Sequence, residues 1–409
     1  MRDTPCAVGY RHCSWARRDS RDRVGYHPLM TLTDSDSRAL HVRTLYAGKL
    51  RPDTVAATLL RADALFPSAT VAAAATPAGL PAATTPLTDV DLVVGGRRYD
   101  LVDYLAYNRV AGLLVLADGA IAREDYQLGL DPGARWASFS LAKSVCSTLY
   151  GAALADGVLD DLDDPVTKYL PELAAGAYRD VSLRQVLEMS SGVAWDETYT
   201  DPHSERRRFL DLQLAGVPGS LVGMMAGLPR AGAAGSAFNY STGETFLAAA
   251  VLEAALGRPL AEYLSARLWV PAGMQSHATW WLESPGGAAI GGSGLSATLR
   301  DYARFARFVL EDGCIGERRV VQRGWFAEST ACTTTRGGAR SYGYQWWLPE
   351  QSDAVHAGAF LAMGIFGQRI YLNPARRLAI VALCARPKPS DAHVVEDLAF
   401  FGAVARALG

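Results

Sequence analysis

Lysine is scarce in this 409-residue chain: Lys49, Lys143, Lys168 and Lys388 are the only ones among 40 basic residues. Arginine therefore serves almost wherever a positive charge is enough. A guanidinium cannot give up its proton, whereas a desolvated amine can, so a retained lysine is a candidate for proton transfer. Cysteine is thin as well. The six residues (Cys6, Cys13, Cys146, Cys314, Cys332, Cys384) are scattered, with no Cys-x-x-Cys pair and no histidine at ligand spacing. That pattern argues against a disulfide framework and a zinc site, and no cofactor or metal is expected. No apolar run approaches the length of a membrane-spanning helix, and residues 1–30 carry arginines where a signal peptide has an apolar core. Net charge is only −2, without a long basic run beyond the N-terminal tail, so neither nucleic acid nor an anionic membrane is implied. The expectation is a cytoplasmic protein acting on a small molecule. Its oligomeric state stays open, a homodimer included.

What is present is a globular composition, 49% hydrophobic, in a chain long enough for a large core. Residues 1–30 read as a disordered tail and residues 31–88 as an arm followed by an Ala/Pro/Thr-rich linker, with the compact domain starting near Asp89. Residues 112–117 and 121–128 read as two strands about a turn at Asp118-Gly119. Residues 141–156 have helical apolar spacing and stop at Gly157; further helices are expected at 242–256, 259–268 and 299–312, and a short one after the capping box Ser182-Leu183-Arg184-Gln185. Strands return at 342–348, 368–372 and 378–383, before a closing helix at 394–408. Strands at both ends with helices between predict an α+β fold: one antiparallel sheet from residues 89–143 and 336–409, flanked by helices, with a mostly helical lobe, residues 144–335, inserted.

The stretch Trp136-Ala137-Ser138-Phe139-Ser140-Leu141-Ala142-Lys143 places Ser140 at a helix start. Unpaired N–H groups and the helix dipole there favour the negative charge that develops when a hydroxyl attacks a carbonyl. Lys143 lies one turn up the same face. Ser-x-x-Lys arises by chance in about one chain in five of this composition, so it needs partners. Tyr240, in Phe238-Asn239-Tyr240-Ser241-Thr242-Gly243 just before a helix, is one, because a phenol beside an ammonium is lowered in pKa and can act as the serine's base. A strand-edge element is offered by Ala362-Met363-Gly364-Ile365-Phe366-Gly367-Gln368.

Ser140-x-x-Lys143, Tyr240-Ser241-Thr242, the loop from Trp195 to Pro202, Gln345-Trp346-Trp347 and the Gly-Ile-x-Gly-Gln segment together resemble the 6-aminohexanoate-dimer hydrolases, the nylon-oligomer branch of the serine β-lactamase and penicillin-binding-protein superfamily, which also includes class C β-lactamase-like esterases. The resemblance covers about residues 89–409 and implies a β-lactamase-like fold and hydrolysis of a small amide or ester through an acyl-enzyme. It further implies Ser140 as nucleophile, Lys143 and Tyr240 sharing its proton, Thr242 supporting that network, and the N–H groups of Ser140 and Ile365 as oxyanion hole. Tyr199 matches the loop tyrosine that closes over the substrate, and Trp195, Trp346 and Phe366 are expected to line the site with it. The chain departs from the superfamily's Lys-Thr-Gly: Ala362 and Met363 offer no charge to hold an antibiotic's carboxylate, so efficient β-lactam turnover is not expected. A nylon oligomer is not the expected physiological substrate either.

Two other readings compete. An α/β-hydrolase requires a Gly-x-Ser-x-Gly elbow, and Gly291-Gly292-Ser293-Gly294-Leu295 fails at its last position. His356, the one histidine near the strand-edge element, reads as structural. A catalytically silent binding protein of the same fold would have no need to keep Ser140, Lys143 and Tyr240 together.

Overall fold

The computed structural model describes residues 35–331, 341–349 and 353–409. The expected tail, residues 1–30, lies outside them. Among the described residues the largest sheet has seven antiparallel strands. In spatial order these are Ser341–Tyr342, Trp347–Leu348, Phe360–Gly364, Gln368–Asn373, Leu378–Cys384, Val110–Ala117 and Ala120–Tyr126. The two ends of the chain meet where Leu378–Cys384 pairs with Val110–Ala117, setting Val381 opposite Leu114. Both strands are continuous apolar runs because both faces of the sheet are covered. Leu114, Leu116, Val381 and Leu383 point into one core, against helix Leu299–Leu310. Their alternates Leu113, Val115, Ile380 and Ala382 point into a second core, shared with the closing helix Asp397–Ala407. The hairpin turn is where the sequence puts it, with Asp118 and Gly119 both at positive φ (51° and 77°), the type I′ pattern that suits the strand twist.

Two central helices carry the site. Ala142–Ala155 is buried along nearly its whole circumference and is followed by Gly157 at φ 68°. Its one interior glycine, Gly151, admits the ring of Trp325, which a Cβ would meet at 2.6 Å. Thr242–Leu256 packs beside it; the Ser241 hydroxyl accepts from the Glu244 N–H at 3.1 Å, and Gly257 closes the helix at φ 63°.

Several expectations need correction. The described part of the expected arm and linker, residues 35–88, does not lie outside a domain that starts at Asp89. Helix Ser35–Tyr46 buries Val42, Leu45 and Tyr46 in the main core, and Ser68–Val71 is the outer strand of a second, four-stranded sheet with Ala278–Trp281, Leu295–Ala297 and Trp136–Ala137. Alanine, proline and threonine in that stretch hid a strand whose partner lies two hundred residues away. The mostly helical stretch 144–335 also supplies two strands of that sheet, and its helix Leu299–Leu310 belongs to the layer against the large sheet. The single strand expected at 342–348 is two short strands, because Gln345 turns at φ 64°. Its side chain is drawn inward, donating to the Leu187 carbonyl at 2.8 Å and accepting from Thr245 Oγ1 at 2.7 Å. Helix Glu205–Ala215 was hidden too: Arg206 and Arg207 are buried, which breaks the apolar periodicity.

Candidate active site

Ser140 sits on a single 3-10 turn, Phe139–Leu141, at the entry to helix Ala142–Ala155. The residue before it, Phe139, is held at φ 46°, a left-handed conformation that costs a non-glycine residue about 1–3 kcal/mol. Packing supplies the compensation. The buried ring lies 5.2 Å from Phe366, 6.1 Å from Trp281 and 6.3 Å from Tyr46. The Ser138 N–H, donating to the Leu295 carbonyl at 2.8 Å, ties the approach to the second sheet. The kink leaves Ser140 at the wall of a cavity.

Lys143 is buried one turn on, only 1% exposed. Its Nζ donates to the Gly292 carbonyl at 2.8 Å and to Thr242 Oγ1 at 3.0 Å, and lies 3.4 Å from Ser140 Oγ. Burial pushes the amine down to about 7; Glu197 pulls it up and Arg206 adds to the depression. The glycine pair that failed as a nucleophile elbow has a different use. A Cβ on Gly292 would lie 3.0 Å from Lys143 Nζ and 2.9 Å from the Thr242 carbonyl, so glycine lets the backbone reach the amine.

Tyr240 sets its hydroxyl in hydrogen-bond contact with Ser140 and its ring centroid 5.1 Å from Lys143 Nζ. The expected lowering of this phenol is corrected. Its enclosed position, and then the charge of Glu197, push it up instead. A lysine near 7 is itself only partly an ammonium at neutral pH, so it offers the phenol little help. Of the two groups, Lys143 is the one whose hold on its proton is loosened.

Glu197 is the residue sequence reasoning missed. It accepts from the Thr242 N–H at 2.9 Å, from the Trp195 indole at 2.5 Å and, closely, from the Thr242 hydroxyl. Tyr199 also hydrogen-bonds it, and Arg206 stands 3.8 Å away, held by Tyr46. Nothing in a polar loop such as Trp195–Pro202 distinguishes a partly buried hub from a solvated carboxylate.

Strand Phe360–Gly364 runs past the serine turn so closely that a Cβ on Gly364 would lie 2.2 Å from the Ser138 carbonyl. The following residue, Ile365, therefore reaches the same cavity as Ser140. That cavity has a volume of about 1000 Å³. Its lining combines the apolar and aromatic Phe238, Tyr240, Trp347, Leu348, Leu361 and Met363 with the charged or titratable Arg369, Arg386, Lys388, His393 and Glu396. Of the four expected lining residues, Tyr199 is at the wall. Trp346 is instead in the core against Phe360 and Phe326; Phe366 is buried under Phe139; Trp195 turns its ring to Phe209. Strand alternation decides between the adjacent tryptophans: Trp346 faces in and Trp347 faces the cavity. His356 lies away from the site, bonded to Tyr371 at 3.0 Å in the second core.

A serine at a kinked helix entry, a lysine one turn on and a tyrosine from the neighbouring helix start define a class. The chain belongs to the beta-lactamase family, whose model matches residues 104–403, and is one of its serine hydrolases. More particularly, it is 31% identical over 314 residues to the 6-aminohexanoate-dimer hydrolase of Paenarthrobacter ureafaciens, covering 72% of this chain and 77% of that protein. A structure from Bacillus anthracis provisionally named a 6-aminohexanoate-dimer hydrolase shares the fold with a TM-score of 0.75 at 22% identity, over 87% of this chain and 92% of that one. A hydrolase with promiscuous acyltransferase activity also shares it, with a TM-score of 0.58 at 16% identity, over 74% and 95%. No helix among the described residues is long and apolar enough to cross a membrane.

Proposed function

We propose that the enzyme cleaves linear amides or short esters through an acyl-enzyme on Ser140. The observation that carries this reading is the buried, depressed amine of Lys143 within 3.4 Å of the serine hydroxyl. Ser140 Oγ attacks the substrate carbonyl as its proton passes to Lys143. The N–H groups of Ser140 and Ile365 receive the oxyanion, at a helix entry and a strand edge respectively. The proton taken by Lys143 returns to the leaving nitrogen or oxygen by way of Tyr240, whose hydroxyl gives its hydrogen to the leaving group and takes up the lysine's in its place. Water then releases the acyl group by the same route reversed.

The cavity, lined by apolar and aromatic side chains together with charged ones, suits a mostly apolar chain that carries polar groups. The Paenarthrobacter relative's name specifies such a compound, a dimer of 6-aminohexanoate. Ala362 and Met363, where a β-lactamase presents Lys and Thr, lack the charge that would hold an antibiotic's carboxylate. The test has two parts. A fluorophosphonate should add once, to the Ser140 peptide, and not to Ser140→Ala. The wild-type enzyme should turn over p-nitrophenyl esters or linear amide dimers well above nitrocefin; labelling that persists in Ser140→Ala, or nitrocefin as the best substrate, would sink the proposal.

A further inference from the structure

We infer that Glu197 is a positioning residue that sets the direction of the hydrogen bonds around Lys143, so that the amine presents its lone pair to Ser140. The inference rests on the reading of Lys143 as the base. A neutral amine has two N–H groups and one lone pair, and three oxygens surround Nζ: Gly292 O at 2.8 Å, Thr242 Oγ1 at 3.0 Å and Ser140 Oγ at 3.4 Å. The Gly292 carbonyl can only accept, so it takes one N–H. The Thr242 hydroxyl could either accept the second or donate to the lone pair. Glu197 removes that choice. As a carboxylate it accepts only, and it lies in close contact with the Thr242 hydroxyl, which spends its single hydrogen there. Thr242 is left with lone pairs toward Lys143 and takes the second N–H. The amine's lone pair then has one direction remaining, toward Ser140.

The orientation of Glu197 is itself fixed. One of its oxygens faces the Thr242 backbone N–H at 2.9 Å and the Trp195 indole N–H at 2.5 Å, two donors that cannot turn round. Glu197→Gln is therefore a directed perturbation of nearly the same shape. The amide oxygen must take the place facing those two donors, which puts the NH₂ against the Thr242 hydroxyl. That hydroxyl now receives a hydrogen and turns its own toward the Lys143 lone pair, occupying the base. The other charged and titratable groups facing Lys143 are Arg206, Cys146 and the Tyr240 phenol. These are unchanged in the variant.

The experiment is single-turnover acylation of full-length enzyme by a p-nitrophenyl ester, across pH 5.5–9.5, for wild type, Glu197→Gln, Thr242→Val and the double variant, with circular dichroism to confirm folding. Glu197→Gln should lower the high-pH plateau by about tenfold or more, the order of one misdirected hydrogen bond. In the Thr242→Val background, where no hydroxyl remains to turn, the same change should cost less than about twofold. Glu197→Asp, which keeps an acceptor, should recover part of the loss. A charge effect alone moves the pH midpoint and leaves the plateau, and a packing effect costs the same with or without Thr242; either result overturns the inference. A Glu197→Gln protein that does not fold also overturns it, since it assigns Glu197 to the fold. Wild-type enzyme that is not acylated on Ser140 would instead remove the underlying assignment of the base.

Discussion

Replacing Lys143 by methionine should make the enzyme's stability depend on pH in a way that reports the amine's protonation. The new side chain is similar in length and cannot be charged. In the unfolded chain the amine holds its proton up to about 10.5, whereas burial in the fold releases it near 7. Between those values the unfolded state binds a proton that the folded state does not, so stability rises with pH. Each unit is about 1.4 kcal/mol, so the penalty carried by the wild type is about 4 kcal/mol at pH 7, about 2 kcal/mol at pH 9 and close to zero above 10.5. The Lys143→Met variant carries none of it. It does leave the Gly292 carbonyl and the Thr242 hydroxyl without their donor, a cost of about 1–3 kcal/mol each that does not vary with pH. Subtracting the two urea-denaturation curves cancels every other titrating group. The variant's stability relative to wild type should fall by about 2 kcal/mol from pH 7 to pH 9. A difference constant to within about 0.5 kcal/mol would show that Lys143 keeps its proton in the fold, and the base would have to be sought elsewhere.

The same amine sets the activity profile: a base must be unprotonated, so kcat/KM should be lost as pH falls through about 7, and Lys143→Arg, unable to deprotonate, should lose a hundredfold or more at every pH. Near-wild-type turnover by the Arg variant would leave only an electrostatic role. Gly364→Ala should cut acylation by at least tenfold, because its Cβ would stand 2.2 Å from the Ser138 carbonyl and must push the strand edge off the serine turn; an unimpaired variant would separate that edge from catalysis. Tyr199→Phe should reduce amide turnover about tenfold and leave p-nitrophenyl esters nearly unchanged, since only a poor leaving group needs a donor. Equal losses on both substrates would assign the hydroxyl to packing through its bond with Glu197.

The parts of the site that could be read from sequence are those whose geometry is local. Ser140 and Lys143 share one helix face, so spacing gave their relation; Tyr240 stands next to a helix cap, and the family resemblance joined it to them. The closing glycines, the I′ turn and the capping box at Ser182 were legible for the same reason. What escaped depends on distant partners. Glu197 meets Thr242 across forty-five residues and Lys143 meets Gly292 across a hundred and forty-nine. The state of Tyr240 differs from the expectation because a phenol's pKa follows the enclosure and charge that surround it, here burial first and then Glu197, both raising it. Strand Ser68–Val71 was invisible because its only signal is the strand it pairs with.

That last strand bears on where the molecule can be cut. The family match begins at residue 104, an inviting place to start a shortened gene. Without Ser68–Val71, however, the strand Ala278–Trp281 loses its outer neighbour and displays unpaired N–H and C=O groups. Trp281 also loses the Ala62 carbonyl that receives its indole N–H at 2.9 Å and the Phe66 ring packed 4.8 Å away. An open strand edge beside an uncovered Trp281 is a template for a second molecule to add its own strand. The N-terminal segment thus guards the enzyme against self-association, a service that a recombinant fragment trimmed to the family-matched segment would forfeit as precipitate.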